Sequence, residues 1–335
     1  MNLLPNSDAL LLSTNCTPGL RSRSKRMDQM TSRRHFIRTA VPALAALGLA
    51  PEAASLALGA PGFAPPVAVF SKLYQELKLD FEQSAEVTAQ AGLDGVDCAV
   101  REGGEIVPEQ AADKMPRYAE ALRRRGVGML LLTTGILGVS SPHAGEILRT
   151  AKQLAMQYYR LGYWSHRPDR PPAKLLAEIR PSLKDLAAMN KELGVCGVCQ
   201  NHSAPQNHSR RNAGCDLAEL YDMVKDLDPA QIGVAFDLGH ALIEHGDQWR
   251  EHFDRLKPLI RVVYVKDVQR ATGFVPFGQG EFARTGFFQL LARMDYRAPL
   301  SMHIEFDWAP QGNKTRPLLL QTLKESRRVL GQWLA

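Results

Sequence analysis

The chain has 335 residues, 45% of them hydrophobic and 23% charged, enough apolar material for one large domain or two small ones. Both fractions lie near globular averages, which excludes a wholly disordered or coiled-coil chain. The formal charge of +6 is unevenly placed: residues 1–60 carry seven Lys or Arg against Asp8, Asp28 and Glu52, while the remainder carries 34 basic against 32 acidic side chains. No clustered positive charge is left on the folded part, so a nucleic-acid partner is excluded.

The first segment reads as an address. Thr31 to Arg38 spells TSRRHFIR, and an alanine-rich apolar stretch from Thr39 to Leu58 follows, with Glu52 its only charge. A basic region, an apolar region of this length and small residues at Ala53, Ser55 and Gly59 have the form of an export signal. Arg33 and Arg34, with Ser32 before and Phe36 and Ile37 after, resemble the twin-arginine type, which is read by a receptor and is not an anchor. Pro42, Pro51 and Glu52 interrupt the run before about 20 apolar residues accumulate, which argues against a stable membrane anchor. The resemblance implies the twin-arginine translocase as a transient partner and a periplasmic or exported location. Residues 1–60 are therefore expected to be an export signal and disordered N-terminus, with Met30 a plausible true start, and residues 61–335 the folded domain.

Beyond Pro65, short apolar runs alternate with helical patterns. The strand-like runs begin near Val67, Gly95, Gly128, Gln157, Val195, Ile232, Ile260 and Pro299. Between them, apolar residues recur at helical spacing: Phe81, Ala85, Thr88 and Ala91; Met115, Tyr118 and Leu122 before Gly126; Leu176, Ile179, Leu183 and Leu186 before Gly194; Leu217, Leu220, Val224 and Leu227 after a cap at Asp216; and Leu319, Leu323, Leu330 and Leu334. Pro181 is expected to kink or restart its helix. Eight strand–helix units over this length predict an α/β chain folded as a single (β/α)₈ TIM barrel. A doubly wound open sheet lacks support, because no GxGxxG follows the first strand and Gly103-Gly104 lies after the second. Cys16, Cys98, Cys196, Cys199 and Cys215 give one CxxC with no second pair, so buried thiols are expected, with Cys196 and Cys199 on opposite faces of a strand.

In such a barrel the chemistry sits where strands end. The polar residues at those ends are Lys72, Asp97 with Arg101, Thr133 with Thr134, Arg160, Gln200-Asn201-His202, Asp237 with His240, Tyr264 with Lys266 and Asp267, and His303 with Glu305. One rim is thus a polar bowl whose carboxylates, amides, imidazoles and cations suit a polyhydroxylated ligand.

The runs GVCGVCQNHS, IGVAFDLGH, VVYVKD and LSMHIEF, in that order on strands five to eight, resemble the sugar phosphate isomerase/epimerase family of xylose isomerase-like barrels. VFSK, GLDGVDCAVREGG and TAKQLAMQYYRLG are similar to the same family, so the resemblance covers residues 66–335. It implies a carbohydrate substrate and a divalent metal ion, Mn²⁺ first and Mg²⁺, Co²⁺ or Zn²⁺ as alternatives. The ion would be held by residues ending strands five, six and eight, here Gln200, Asp237 and Glu305, together with a histidine on strand seven, where this chain has Tyr264. In the epimerases of the family two glutamates act as paired acid and base on either face of a cis-enediolate, and Gln200 cannot exchange a proton at neutral pH. The resemblance thus implies proton transfer α to a sugar carbonyl, as an isomerase or epimerase. Two alternatives remain: a lyase or hydratase acting on a 3-keto-glycoside at the same site, and a non-catalytic sugar-binding barrel. A homo-oligomer is compatible with either.

Single residues divide between roles. Glu305, His240 and Lys266 are the expected catalytic groups. The DxxH histidine, His240, contacts substrate in similar proteins, and burial of Lys266 in an apolar strand end makes it a base or an electrophilic stabiliser, unless it is a structural partner of Asp97 or Glu305. Lys72, Arg101, Arg160, Asn201, His202 and His303 are the expected substrate-binding set. The bland alternatives are that Arg160 neutralises carboxylates, His202 orients its loop and His303 packs. Glu105 has no assigned role. Tyr158, Tyr159, Tyr163 and Trp164 are read as packing against the next helix more than as a sugar platform, and Arg123-Arg124-Arg125 as a solvated helix end.

Overall fold

The structure is a computed structural model and describes residues 63–204 and 211–335. The segment read as an export signal, with Arg33, Arg34 and Cys16, lies outside the described residues. Eight strands are present where the eight apolar runs predict them: β1 (Val67–Phe70), β2 (Gly95–Val100), β3 (Gly128–Thr134), β4 (Tyr158–Arg160), β5 (Cys196–Gln200), β6 (Ile232–Asp237), β7 (Ile260–Val265) and β8 (Leu300–Met302). All pair in parallel and close into a ring in which β1 lies between β2 and β8. The chain is a single (β/α)₈ TIM barrel. A small antiparallel ribbon, Val268–Gln269 with Gly273–Phe274, follows β7.

Strands buried on both faces explain the continuous apolar runs. Leu131, Cys196, Val198, Ala235, Val262 and Tyr264 fill the inside of the ring. A larger cluster packs the outside of the strands against helices such as Ala111–Arg124 and Arg316–Leu334. Cys196 belongs to the inner cluster and Cys199 to the outer, the opposite faces that strand alternation predicts, and both thiols are free. Asp216 caps the helix Leu217–Val224 by accepting from the Ala218 and Glu219 amides. The helix Pro172–Leu193 continues through Pro181 as one element, so the proline does not restart it; Ile179, Leu183 and Leu186 bury its inner face on both sides of the proline, and Gly194 ends it at a positive φ of 69°. Among the described residues no helix is long and apolar enough to cross a membrane.

The inner face fixes the site. Residues two apart on a strand share a face, so the ladders Cys196–Val198–Gln200, Ala235–Asp237 and Val262–Tyr264–Lys266 run from a packed floor to a polar top. Side chains that close the lumen at one level present chemistry at the next.

Candidate active site

At the C-terminal mouth of the barrel a cavity of about 180 Å³ is lined by Lys72, Arg101, Arg160, Gln200, His202, Lys266, His303 and Glu305, together with Phe70, Thr133 and Tyr163. It is smaller than the roughly 300 Å³ at which drug-sized pockets begin, so it suits one small molecule. A second cavity of about 440 Å³, with apolar walls from Ile136, Leu137 and Ile147, shares Arg101, Arg160 and Tyr163 with it.

Lys266 stands at the centre. Its side chain is 2% exposed, and Nζ lies 3.0 Å from Asp237 Oδ2, 3.0 Å from His240 Nε2 and 4.0 Å from Glu305 Oε1. Of its two expected structural partners the structure provides Glu305 and not Asp97. Asp97 instead lies at the floor, its carboxylate accepting from the Thr133 and Ser301 hydroxyls at 2.8 Å each.

Asp237 ends β6 and is fully buried. Oδ2 accepts from Gln200 Nε2 at 2.9 Å as well as from Lys266, and Oδ1 accepts from the His240 amide at 3.2 Å. The Tyr163 hydroxyl donates to Gln200 Oε1 and so fixes which end of the amide faces the carboxylate. Tyr163 is thereby part of the site and not simply packing, which no periodicity or motif in its aromatic cluster marks.

Asn201 and His240 depart from the expected substrate contacts. Asn201 Nδ2 donates to the Asp237 carbonyl and its Oδ1 accepts the Asp237 amide, both at 2.8 Å, so the side chain is consumed in clamping β5 to β6. His240 is 2% exposed and stands behind Lys266, outside the cavity wall. Its Nδ1 pairs with Ser203 Oγ at 2.8 Å, its Nε2 faces Lys266, and its ring lies 3.8 Å from that of His202. Burial, with the charge of Lys266 and the neighbouring His202 and His303, holds the His240 imidazole well below its ordinary pKa. It is a neutral acceptor for Lys266, with both nitrogens engaged. His202 is lowered for the first two of these reasons, and its Nδ1 meets the Ser203 carbonyl at 2.9 Å.

Glu305 faces the cavity at 26% exposure. Burial alone would raise its carboxyl, but the His303 ring at 3.6 Å and the Lys266 and Lys72 ammonium groups, each at 4.0 Å, outweigh it and hold the carboxyl well below the usual carboxylate range. His303 stacks on Phe70 and has the Tyr264 ring tilted against it, with Nε2 3.1 Å from Ser301 Oγ. Arg160 is 3% exposed and bonds the Leu161 carbonyl at 2.5 Å over the Tyr163 ring; among the described residues it has no carboxylate partner, so it does not neutralise the rim acids. Arg101 likewise lacks one, and burial and the charge of Arg160 lower its pKa.

Asp267, the next residue after Lys266, accepts from the amides of Val268, Gly278, Gly280 and Phe282 at 2.8–3.1 Å. It pins the segment that carries Phe274, whose ring covers Lys266 Nζ at 5.3 Å.

The expected divalent cation does not fit this arrangement. Gln200 presents its N–H₂ to Asp237, Tyr264 is wholly buried beside His303, and the Asp237 oxygen nearest the centre already accepts from Gln200 and Lys266. Among the described residues no group of three or more His, Cys, Asp or Glu could hold a metal ion. Gln200, Asp237 and Glu305 do converge at one mouth, but around an ammonium.

No curated protein matches the chain by sequence. Among solved structures, the barrel is similar to 3-keto-D-glucoside 4-epimerase from E. coli (14% identity, 77% of this chain and 99% of that chain, TM-score 0.57). It is also similar to D-allulose 3-epimerase from Methylomonas sp., solved in complex with D-allulose (13%, 81% and 98%, TM-score 0.56). The IOLI protein, solved with a binding zinc atom, is a third (15%, 80% and 99%, TM-score 0.61). At these identities the likeness shows the fold alone. The model of the xylose isomerase-like TIM barrel matches residues 85–325, and the chain belongs to that family.

Proposed function

We propose that the protein is a carbohydrate isomerase or epimerase that moves a proton at the carbon next to a carbonyl. The observation that carries this reading is the juxtaposition, on one small cavity, of the Glu305 carboxylate and the Lys266 ammonium 4.0 Å apart. Glu305 takes the α proton, the C–H electrons form the carbon–carbon double bond, and the carbonyl oxygen becomes an enediolate oxyanion bound by Lys266. The proton then returns from Glu305 to the former carbonyl carbon, while the proton of the α-hydroxyl passes to the oxyanion, so that the carbonyl moves by one carbon. Arg101, Arg160, His202 and Lys72 hold the hydroxyl groups. The kinship with sugar epimerases in fold supports the substrate class.

Among the described residues only one carboxylate lines the cavity, because Gln200 cannot carry a proton. One base can deliver the proton back on the face from which it came, which suits isomerisation; inversion by two bases on opposite faces is disfavoured. The same single base favours, as a second reading, elimination from a 3-keto-glycoside, with the adjoining apolar cavity receiving the aglycone. With the twin-arginine-like segment, the proposal extends to an exported, periplasmic enzyme.

Proton NMR of keto sugars and 3-keto-glycosides in deuterium oxide tests the reaction. Protein-dependent exchange at one sugar carbon, abolished in Glu305→Gln, is expected. Absence of exchange with every substrate, together with saturable sugar binding, would leave a binding barrel and overturn the enzyme reading.

A further inference from the structure

We propose that the Lys266 ammonium is the permanent cation of this site, lying between Asp237 and Glu305, the two carboxylates that the family resemblance offers as metal ligands, so that the protein binds no divalent ion there. The inference concerns the resting site and does not depend on which carbohydrate reaction, if any, the cavity performs.

The chain is built around this side chain in three separate places. Lysine has three N–H donors. Two are directed to Asp237 Oδ2 and His240 Nε2, at 3.0 Å each, leaving the third for the cavity beside Glu305. The stem of Lys266 passes Gly239 so closely that a Cβ there would lie 2.6 Å from Lys266 Cγ and 3.1 Å from its carbonyl oxygen. Gly239 therefore leaves the passage through which the ammonium reaches Asp237. The third place is the ligand set. Gln200 donates to the carboxylate oxygen that Lys266 also touches, and Tyr264 is a buried phenol tilted against His303. With a glutamate at 200 the centre would carry three carboxylates; with glutamine it carries two, faced by Lys266 and by Lys72 at the rim.

These features also account for one another. A neutral imidazole behind Lys266 accepts its proton-bearing nitrogen without adding charge, and the Phe274 face at 5.3 Å shields the ammonium from water. Such a cation binds an oxyanion as a hydrogen-bond donor and point charge, and needs no open coordination position.

The test uses the purified chain without sugar. Protein from cells grown with added Mn²⁺, Co²⁺ and Zn²⁺ is analysed for metal by mass spectrometry. It is then titrated with Co²⁺, followed by visible absorption, and with Mn²⁺, followed by electron paramagnetic resonance. Less than about 0.1 ion per chain, no cobalt band and a melting temperature unmoved by EDTA are expected. About one ion per chain, lost in Asp237→Asn, overturns the proposal.

A second arm removes the ammonium and supplies ligands, in K266A/Q200E/Y264H. This variant is expected to take up about one Co²⁺, at least about tenfold more tightly than wild type. A folded variant that remains free of metal shows that the ammonium is not what excludes the ion, and overturns the proposal too. Where the triple variant fails to fold by circular dichroism, K266Q/Q200E gives the same reading with fewer changes. A metal-free protein with no sugar exchange defeats the proposed reaction alone, whereas a metal-loaded protein with exchange defeats this inference alone.

Discussion

Glu105 Oε2 lies 3.8 Å from Cys98 Sγ, behind the β2 wall and outside the lining of the cavity. Its other oxygen is enclosed with no hydrogen-bond partner among the described residues. Burial pushes the carboxyl up to about 7, and nearby Ser71 and Tyr118 only partly offset it.

The folded chain therefore keeps a proton that the unfolded chain releases near the ordinary value of 4.5. Stability from this group is fully present below that value and falls as pH rises through about 7, by up to about 3 kcal/mol. Glu105→Gln preserves the uncharged form. Urea midpoints measured near pH 5 and about pH 8 are expected to differ less in the variant than in wild type. Equal differences in the two proteins would remove Glu105 as the source.

Asp237 and Lys266 form a buried pair at 3.0 Å. Lys266→Met leaves the carboxylate uncompensated and is expected to cost about 3–5 kcal/mol of stability. It is also expected to lower the exchange rate about 100-fold or more, by removing the oxyanion donor. Adding Asp237→Asn to Lys266→Met should recover much of the stability and none of the rate. Thermal melts and exchange kinetics check both halves; a double variant no more stable than the single one is incompatible with a coupled pair.

Arg160 is buried without an acidic partner among the described residues, which leaves its guanidinium edge for a ligand. Arg160→Met is expected to raise KM about tenfold or more while changing kcat less. A fall in kcat at constant KM would instead assign it to the transition state.

Arg33 and Arg34 are expected to direct export. Replacing both by lysine should leave uncleaved precursor in the cytoplasm, seen by fractionation and immunoblotting. Normal appearance of mature protein outside the cytoplasm would rule out the twin-arginine route.

Strand positions were legible in the sequence because each run is apolar on both faces and ends in polar side chains, as at Val262–Val265 before Lys266. The mouth of the barrel was legible for the same reason. Which partner each polar group takes was not, since that depends on contacts between strands far apart in the chain. Asn201 and His202 are neighbours in one string, yet one is spent on the Asp237 backbone and the other lines the cavity. Lys266 carried no mark separating a rim ion pair from a central cation. Gly239 held that information, but only the proximity of β6 and β7 reveals what its missing side chain makes room for.

The four amides gathered by Asp267 bear on how Lys266 meets a ligand. A lysine side chain surrenders up to about 2 kcal/mol of rotamer entropy when it is immobilised. Here the backbone just past it is anchored, its stem is threaded beside Gly239 and its tip is tied to Asp237, so that loss is incurred during folding. The incoming oxygen finds the donor already aimed, and association should proceed with little rearrangement of the wall.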